Sequence, residues 1–285
     1  MKQTMRTRKL VEASLLVALA TVLSVLKIAE LPYGGSITLA SMFPILLLSY
    51  RHGVRWGLGG GLVYGVLQQL LGLSNLSYFT TWQSVLAIIF LDYIIAFAVV
   101  GLGGIFRRAV ARQNLSLATG AIFVCVLRYL CHVVSGATVW AGLSIPSGAA
   151  LAYSFVYNAT YMIPETIVLV AVAYYLGSLL DFRRDQPVRM ARARQVPAQI
   201  GALSFLASVV ALIGGVVDVS LIFPRLQNAE TGKFDLSGVA VTDGFTHSVW
   251  FLVLIVTAAC ILICAGLLIT RARLLRAAEV MEKNT

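Results

Sequence analysis

Long apolar runs, separated by short polar segments, make up most of the chain. A helix needs about 20 apolar residues to cross the hydrocarbon core of a bilayer, and eight runs reach or approach that length. The second and third runs are short, and Pro44 lies within the second, so these two are also open to a tilted or re-entrant course. The pattern predicts eight spans, over residues 10–28, 37–50, 56–71, 83–106, 117–134, 149–180, 200–223 and 248–269.

Composition supports a membrane protein and excludes other classes. Hydrophobic residues make up 59% of the 285 residues and charged residues 12%, about half the share usual in soluble domains. Mean hydropathy is +0.87. These values exclude a soluble enzyme, a disulfide scaffold and a disordered chain. We therefore predict an all-α polytopic membrane protein.

The basic residues predict the topology. The 22 Lys and Arg exceed the 12 Asp and Glu, giving a net charge of +10. With the N-terminus inside, eighteen of the 22 basic residues fall in cytoplasmic segments, namely residues 2–9, 51–55, 107–112, 183–194 and 271–283. The positive-inside rule predicts this asymmetry. Both termini are therefore expected in the cytoplasm, and the first run is read as a retained helix because it is too long for a signal peptide.

A polar, arginine-rich segment divides the chain. It predicts a six-span membrane domain over residues 1–182, a basic cytoplasmic linker over 183–197 and a two-span extension over 198–285. The linker is interpreted as a topogenic loop, with contact to anionic lipid headgroups as the alternative.

Small residues recur at helix-packing spacing. Gly57, Gly61 and Gly65 follow Gly53 at intervals of four, and Ser14 and Ala18 form a similar pair on the first span. Small residues allow close helix approach in lipid, so internal packing is favoured, with docking to a separate membrane subunit as the alternative. The four cysteines lie inside apolar runs without clustered histidine or carboxylate, and neither a metal site nor a cofactor is predicted.

Four ionisable residues fall at membrane depth, where such groups are costly and mark candidate functional sites. They are Asp92, Arg128, His132 and Glu165. Arg128 and His132 are four residues apart and share a helix face. An Asp92–Arg128 ion pair is the structural alternative. Glu165 follows Pro164 and is open to two interpretations, a polar-network residue or a ligand contact.

Aromatic and amide residues collect near the outer ends of the spans. Trp82, Trp140 and Tyr153 fall near Asp92, His132 and Asn158 in the predicted topology. Aromatic belts are common at membrane interfaces. Together with the polar groups, however, these residues predict an outward-facing pocket for a flat, partly cationic heteroaromatic ligand.

Three sequence motifs carry a family resemblance. They are LPYGGSITL at 31–39 with SMFP at 41–44, LDYIIAF at 91–97 with the glycines at 101–104, and His132-x-x-Ser-Gly-x-x-x-Trp140 followed by Tyr153-Ser-x-x-Tyr-Asn158-x-x-Tyr-x-x-Pro-Glu165. Over about residues 8–182 the chain resembles the thiamine-specific substrate-binding (S) components of energy-coupling factor (ECF) transporters. The resemblance implies a six-helix S-component-like bundle, here followed by two additional C-terminal transmembrane helices.

The resemblance also implies a ligand site. Its eight residues would be Tyr33, Trp82, Asp92, Tyr93, His132, Trp140, Tyr153 and Asn158. Trp140 would stack on the aminopyrimidine ring, and Trp82 and Tyr33 would flank the thiazolium. Tyr93 would lie near the hydroxyethyl end or a phosphate, and the remaining four would hydrogen-bond the ligand. Asp92 departs from the family pattern, since the usual glutamate is one methylene longer.

Partners follow from the same resemblance. Segment 33–36 would be a mobile lid, and Ser14 and Ala18 would dock on a transmembrane coupling subunit. The chain contains no Gly-x-x-x-x-Gly-Lys-[Ser/Thr] motif, so two separate ATPase subunits would supply the energy. The expected function is thiamine capture at the outer side of the bacterial plasma membrane, without catalysis.

Other functions remain open from the sequence. One is an S component for another heteroaromatic vitamin or a thiamine precursor. A second is a proton-coupled secondary transporter that uses Asp92, Arg128, His132 and Glu165. A third is an intramembrane enzyme with His132 as acid or base.

Overall fold

The computed structural model describes residues 2–31, 35–78, 81–142, 147–190, 198–222 and 247–283. The chain forms two compact units, Met1–Met190 and Ala191–Thr285. The boundary between them falls within the segment predicted as a linker.

Helices dominate both units. The first unit contains α1 (Lys2–Val25), α2 (Phe43–His52), α3 (Val54–Leu71), α4 (Trp82–Arg107), α5 (Gln113–Gly142) and α6 (Ser147–Leu179), with a short 3₁₀ segment at Leu73–Tyr78. The second contains α7 (Ala198–Ile222) and α8 (His247–Lys283). Within the described residues, four helices are long and apolar enough to cross a membrane: Trp82–Arg107, Gln113–Val139, Ala150–Leu179 and Phe251–Ala277. The prediction of an all-α polytopic membrane protein is confirmed.

The second apolar run differs from its prediction as a single helix over 37–50. Its start is a β-strand, β2 (Ser36–Thr38), which pairs antiparallel with β1 (Lys27–Glu30). Helix α2 begins only at Phe43, with Pro44 in its first turn, where the missing N–H costs nothing. The ten residues of α2 extend about 15 Å, half of a hydrocarbon core. A second small pair, β3 (Leu180–Asp181) with β4 (Val188–Arg189), follows α6.

The glycine stripe packs inside the first unit. A Cβ on Gly61 would lie 2.5 Å from the carbonyl oxygen of Phe97, and one on Gly65 would lie 2.7 Å from that of Tyr93. Gly57 likewise abuts the backbone of Gly101. The stripe therefore seats α3 directly against α4, which confirms internal packing for these three glycines. Gly53 has a different role, because its φ of 92° makes the turn between α2 and α3.

One end of the first unit is held by a polar network. Arg51 pairs with Glu12 of α1 and donates to the carbonyl oxygens of Phe182, Arg184 and Asp185. Further bonds run from Arg107 to the carbonyls of Tyr50 and Arg51, from Gln113 to those of Gly177 and Leu180, and from Arg183 to that of Ala111. Three of the segments predicted to share a membrane side, 51–55, 107–112 and 183–194, thus meet at one end.

In the second unit, α7 and α8 run antiparallel. Thr257 donates to Asp218 at 2.7 Å, and Cys264 Sγ lies 3.2 Å from the carbonyl oxygen of Ala207. Gly214 lies against Cys260 between these two contacts. Both cysteines are free thiols that pack between helices, as their apolar surroundings predict.

Candidate functional site

The site is centred on a pair of side chains from α4 and α5. His132 Nδ1 lies 2.8 Å from Asp92 Oδ1. Asp92 lies in the π-helical part of α4, Ile88–Ile95, and π-helical turns are frequent at functional sites. The side chain of Asp92 is 26% exposed and that of His132 only 8%. His132 is therefore buried, and Asp92 is partly exposed.

The second ring nitrogen of His132 is unsatisfied. Its Nε2 is buried and has no hydrogen-bond partner among the residues that the structure describes. A carboxylate accepts but does not donate, so Nδ1 carries the proton in the neutral ring and Nε2 is an acceptor. A buried acceptor without a partner costs about 1–3 kcal/mol. A ligand donor placed at Nε2 would remove that cost.

Three tyrosines of α6 form one wall beside this pair. Tyr153, Tyr157 and Tyr161 recur every four residues, share a helix face and are all buried. The rings of Tyr153 and Tyr157 are stacked, with centroids 6.0 Å apart. Tyr161 meets the His132 ring edge-on at 5.9 Å. We call Tyr153, Tyr157 and Tyr161 the tyrosine wall.

Asn158 joins α5 to α6 behind the tyrosine wall. Its Nδ2 donates to the carbonyl oxygens of His132 and Ser154, and its Oδ1 accepts from the hydroxyl of Tyr161 at 2.6 Å. Gly136 permits this close approach, since a Cβ there would meet the side chains of Ser154 and Asn158. Both ends of the Asn158 amide are thus engaged by protein groups.

The β1–β2 hairpin lies over the tyrosine wall. A Cβ on Gly35 would lie 2.7 Å from the Tyr161 ring and 3.2 Å from the Tyr157 hydroxyl, so backbone touches the rings directly. Glu165, one helical turn after Tyr161, accepts from the N–H and hydroxyl of Thr38. Glu165 therefore belongs to a polar network, one of the two interpretations of its sequence position.

Arg128 is not the partner of Asp92. Its guanidinium lies over the ring of Phe97 at 4.4 Å from the centroid, and Nη1 is 3.1 Å from Met42 Sδ. The side chain that contacts Asp92 is His132 instead. Arg128 and His132 lie on one face of α5, but Arg128 extends toward Met42 and Phe97 and not toward Asp92.

The remaining predicted contacts have varied positions. Trp82, at the start of α4, is 69% exposed and is not brought into the buried cluster. The hydroxyl of Tyr93 lies against Gly72, at the end of α3. Trp140 is in the last turns of α5, with a side chain outside the described part, and Tyr33 lies outside the described residues altogether. Ser14 and Ala18 are both exposed on α1.

Nothing among the described residues resembles a metal centre. No group of three or more His, Cys, Asp or Glu side chains converges in the described ranges. The site offers a carboxylate, one imidazole acceptor and aromatic faces. These groups are of the kinds that suit an organic ligand with donor groups and a delocalised ring.

Three residues were not among those predicted to contact ligand: Tyr157, Tyr161 and Thr38, the partner of the candidate residue Glu165. The spacing of four from Tyr153 was a usable signal for the two tyrosines, because it places them on one helix face. No local pattern links Thr38 to Glu165, which are 127 positions apart.

Comparison with known proteins identifies the family of the chain. Residues 10–181 match the profile of the family described as Thiamine transporter protein (Thia_YuaJ). The chain belongs to this family of membrane transporters. It is similar to the thiamine transporter ThiT of Bacillus subtilis (strain 168), with 36% identity over 184 residues that cover 60% of this chain and 91% of the relative. It is also similar to the ThiT of Lacticaseibacillus paracasei, with 29% identity over 170 residues, 55% of this chain and 78% of that protein.

Proposed function

We propose that this chain is the thiamine-binding subunit of a vitamin uptake transporter. Membership in a thiamine transporter family supports the ligand class. The observation that carries the proposal is the buried Nε2 of His132, which has no partner in the described part of the chain, beside the Asp92 contact. Thiamine offers an exocyclic amino group on its pyrimidine ring, and this donor would satisfy Nε2.

The cationic thiazolium has a matching environment. Aromatic faces attract cations through the ring quadrupole, and the tyrosine wall supplies such faces. The Asp92 carboxylate adds a negative charge at low dielectric, where charge interactions are strong. We propose that Trp140 and Tyr33 complete the aromatic enclosure and that Trp82 and Tyr93 contact the ligand from its outer end.

We further propose that the chain works within an ECF transporter. In this arrangement a transmembrane coupling subunit docks on α1 and two ATPases hydrolyse ATP. The exposure of Ser14 and Ala18, four residues apart on one face, supports the docking role. The chain itself would capture the ligand and catalyse no reaction. Its first unit would be the six-span binding domain, and its second unit a two-span extension.

The proposed orientation follows from the basic segments. Arg51, Arg107 and Arg183 lie in one network, which we place at the cytoplasmic side of the bacterial plasma membrane. The tyrosine wall lies in the first half of α6, toward the opposite end from this network. Ligand would therefore enter from outside, and both termini would be cytoplasmic.

A pair of ligands tests the proposed recognition. Oxythiamine carries an oxo group in place of the exocyclic amine of thiamine, so it presents an acceptor to the Nε2 acceptor of His132. We expect the purified full chain to bind oxythiamine at least a hundredfold more weakly than thiamine, because the buried polar groups would be left unpaired. Equal affinities, measured by calorimetry, would contradict this placement of the ring.

A reconstitution experiment tests the proposed division of labour. Liposomes that contain this chain alone should bind thiamine but not accumulate it, with or without a pH gradient. Accumulation driven by a pH gradient would instead establish the proton-coupled transporter. Liposomes that also contain a coupling subunit and the ATPases should accumulate thiamine when ATP is supplied on the side of the ATPases.

A further inference from the structure

We infer that Gln69, on α3, is a specificity-determining residue that binds the hydroxyl group of the ligand's hydroxyethyl arm. The inference rests on the proposed thiamine binding and deepens it, because none of the contacts predicted for the ligand lies on α3. It assigns to this helix the recognition of a free alcohol.

A buried amide on α3 lacks partners within the described part of the chain. Gln69 is only 9% exposed. Neither its Nε2 nor its Oε1 has a hydrogen-bond partner among the described residues, and no other side chain in those ranges has two buried polar atoms without one. Buried polar side chains in native proteins are almost always hydrogen-bonded, so this amide requires an explanation.

Amides that hold helices together in the first unit are engaged by protein groups. Gln113 donates to two backbone carbonyl oxygens and accepts from a backbone N–H. Asn158 likewise uses both ends of its amide. Gln68, the neighbour of Gln69, donates to Ser24 Oγ of α1 at 2.7 Å. Gln69 differs from all three, so a role in joining helices does not explain it.

The position of Gln69 is fixed by two glycines on the same helix face. Gly65, Gln69 and Gly72 follow one another at intervals of four and three residues along α3 and its C-terminal cap. A Cβ on Gly65 would lie 2.7 Å from the carbonyl oxygen of Tyr93, and Gly72 abuts the Tyr93 hydroxyl. Gln69 therefore lies between two contacts with Tyr93, the residue that follows Asp92 in the π-helical part of α4.

The chemistry of the amide matches one group of thiamine. In the proposed function the exocyclic amine is bound at His132 Nε2, and the pyrimidine ring nitrogens only accept hydrogen bonds. The hydroxyl of the hydroxyethyl arm both donates and accepts, so it can pair with either end of the Gln69 amide. The amide thus recognises the alcohol end of the ligand, while the Asp92–His132 pair recognises the pyrimidine end.

An amide present for folding alone would be a poor choice at this position. A buried polar group without a partner destabilises a protein, and an apolar residue of the same shape removes that cost. Gln69→Met keeps the length of the side chain and removes the amide. We therefore expect its Tm, measured without added ligand, to be unchanged or raised. A residue that lowers stability while it serves binding is typical of functional sites.

Calorimetric titrations of the full-length protein with two ligands test the contact. The ligands are thiamine and its deoxy analogue, which carries an ethyl group in place of the hydroxyethyl arm. We expect the wild type to bind thiamine at least tenfold more tightly than the analogue. Gln69→Met should bind thiamine about tenfold more weakly than the wild type does, because a hydrogen bond is lost. Its affinity for the analogue should stay within about twofold of wild type.

Gln68→Met is the matched control, on the neighbouring residue. It removes the same kind of amide, but one that bonds within the protein, to Ser24. Its Tm should fall, and its preference for thiamine over the deoxy analogue should equal that of the wild type. Gln69→Leu is the second variant, to be used where Gln69→Met fails to fold, with the same expected affinities.

Equal losses of affinity for the two ligands in Gln69→Met or Gln69→Leu would overturn the inference, because they would show a general effect on the site. Unchanged thiamine affinity in either variant would overturn it as well, as would a loss of the preference in Gln68→Met. These results all come from a wild-type protein that binds thiamine. No binding of thiamine by the wild type would instead refute the proposed function, and this inference with it.

Discussion

His132 Nδ1 and Asp92 Oδ1 lie 2.8 Å apart and join α5 to the π-helical part of α4. The contact has two consequences. It fixes the orientation of the imidazole ring, whose buried Nε2 has no hydrogen-bond partner among the described residues, and it places a carboxylate at the other ring nitrogen. Asp92, although one methylene shorter than glutamate, reaches His132 directly.

Removal of the Asp92 charge should weaken binding without unfolding the protein. In Asp92→Asn the amide oxygen still accepts from Nδ1, so the ring keeps its orientation while the attraction for a cation is lost. We expect the thiamine Kd to rise tenfold or more and Tm to fall by only a few degrees. Calorimetry and a thermal melt in detergent measure the two effects.

Asp218→Asn is the matched control for Asp92→Asn. It removes one negative charge from a helix of the second unit, and its amide oxygen can still accept from Thr257. Thiamine affinity should not change. A collapse of Tm in Asp92→Asn with normal affinity in the remaining folded protein would show that the Asp92–His132 pair is purely structural.

The α3–α4 contact predicts opposite behaviour at two neighbouring glycines. Gly61→Ala would place a methyl group 2.5 Å from the Phe97 carbonyl oxygen, whereas a Cβ on Gly59 meets nothing within 4 Å. We expect Gly61→Ala to destabilise the protein by about 1–3 kcal/mol through overpacking. Gly59→Ala should be neutral or slightly stabilising, because alanine is the better helix former. Thermal melts that rank the two variants the other way would refute the close approach.

The network at Arg51 predicts a strong dependence on one arginine. The Arg51 side chain is 4% exposed and bridges Glu12 to three backbone carbonyls after α6. Among the described residues, Arg51→Met leaves Glu12 with the His52 imidazole as its one remaining ion-pair candidate, and breaking a buried pair costs about 3–5 kcal/mol. We expect a large loss of Tm, against little change for Arg55→Met at an exposed site. Similar Tm values for Arg51→Met and Arg55→Met would show that the Arg51 network does not stabilise this end of the first unit.

The division of the chain predicts that the second unit is dispensable for binding. Every described candidate residue lies in Met1–Met190, the family match ends at residue 181, and the second unit has its own α7–α8 contacts. A chain that ends at residue 190 should bind thiamine with a Kd within about threefold of full length. A loss of binding in this truncated, folded protein would show that residues 191–285 contribute to the site.

Sequence patterns predicted the helices and much of the site for identifiable reasons. Apolar run length located the long spans, and spacing of four placed Gly57, Gly61 and Gly65 on one packed stripe. The depth of Asp92 and His132 marked both as functional candidates. The pairing between them was not predictable, because it depends on the relative rotation of α4 and α5.

The hairpin shows the opposite case. Strands of three and four residues are too short for an alternating pattern. Each of them overlaps the end of an apolar run that was predicted to be a helix, 10–28 for β1 and 37–50 for β2. Their position depends on the bond from Thr38 to Glu165, across 127 residues of sequence. Local propensity carries no information on such a contact.

Calorimetric titration of the detergent-purified full chain with thiamine tests the central claim most directly. The account predicts saturable one-to-one binding with a submicromolar Kd, and at least a tenfold weaker Kd for His132→Ala, which removes the Nε2 acceptor. No saturable heat with thiamine, or an unchanged Kd in His132→Ala, would contradict it.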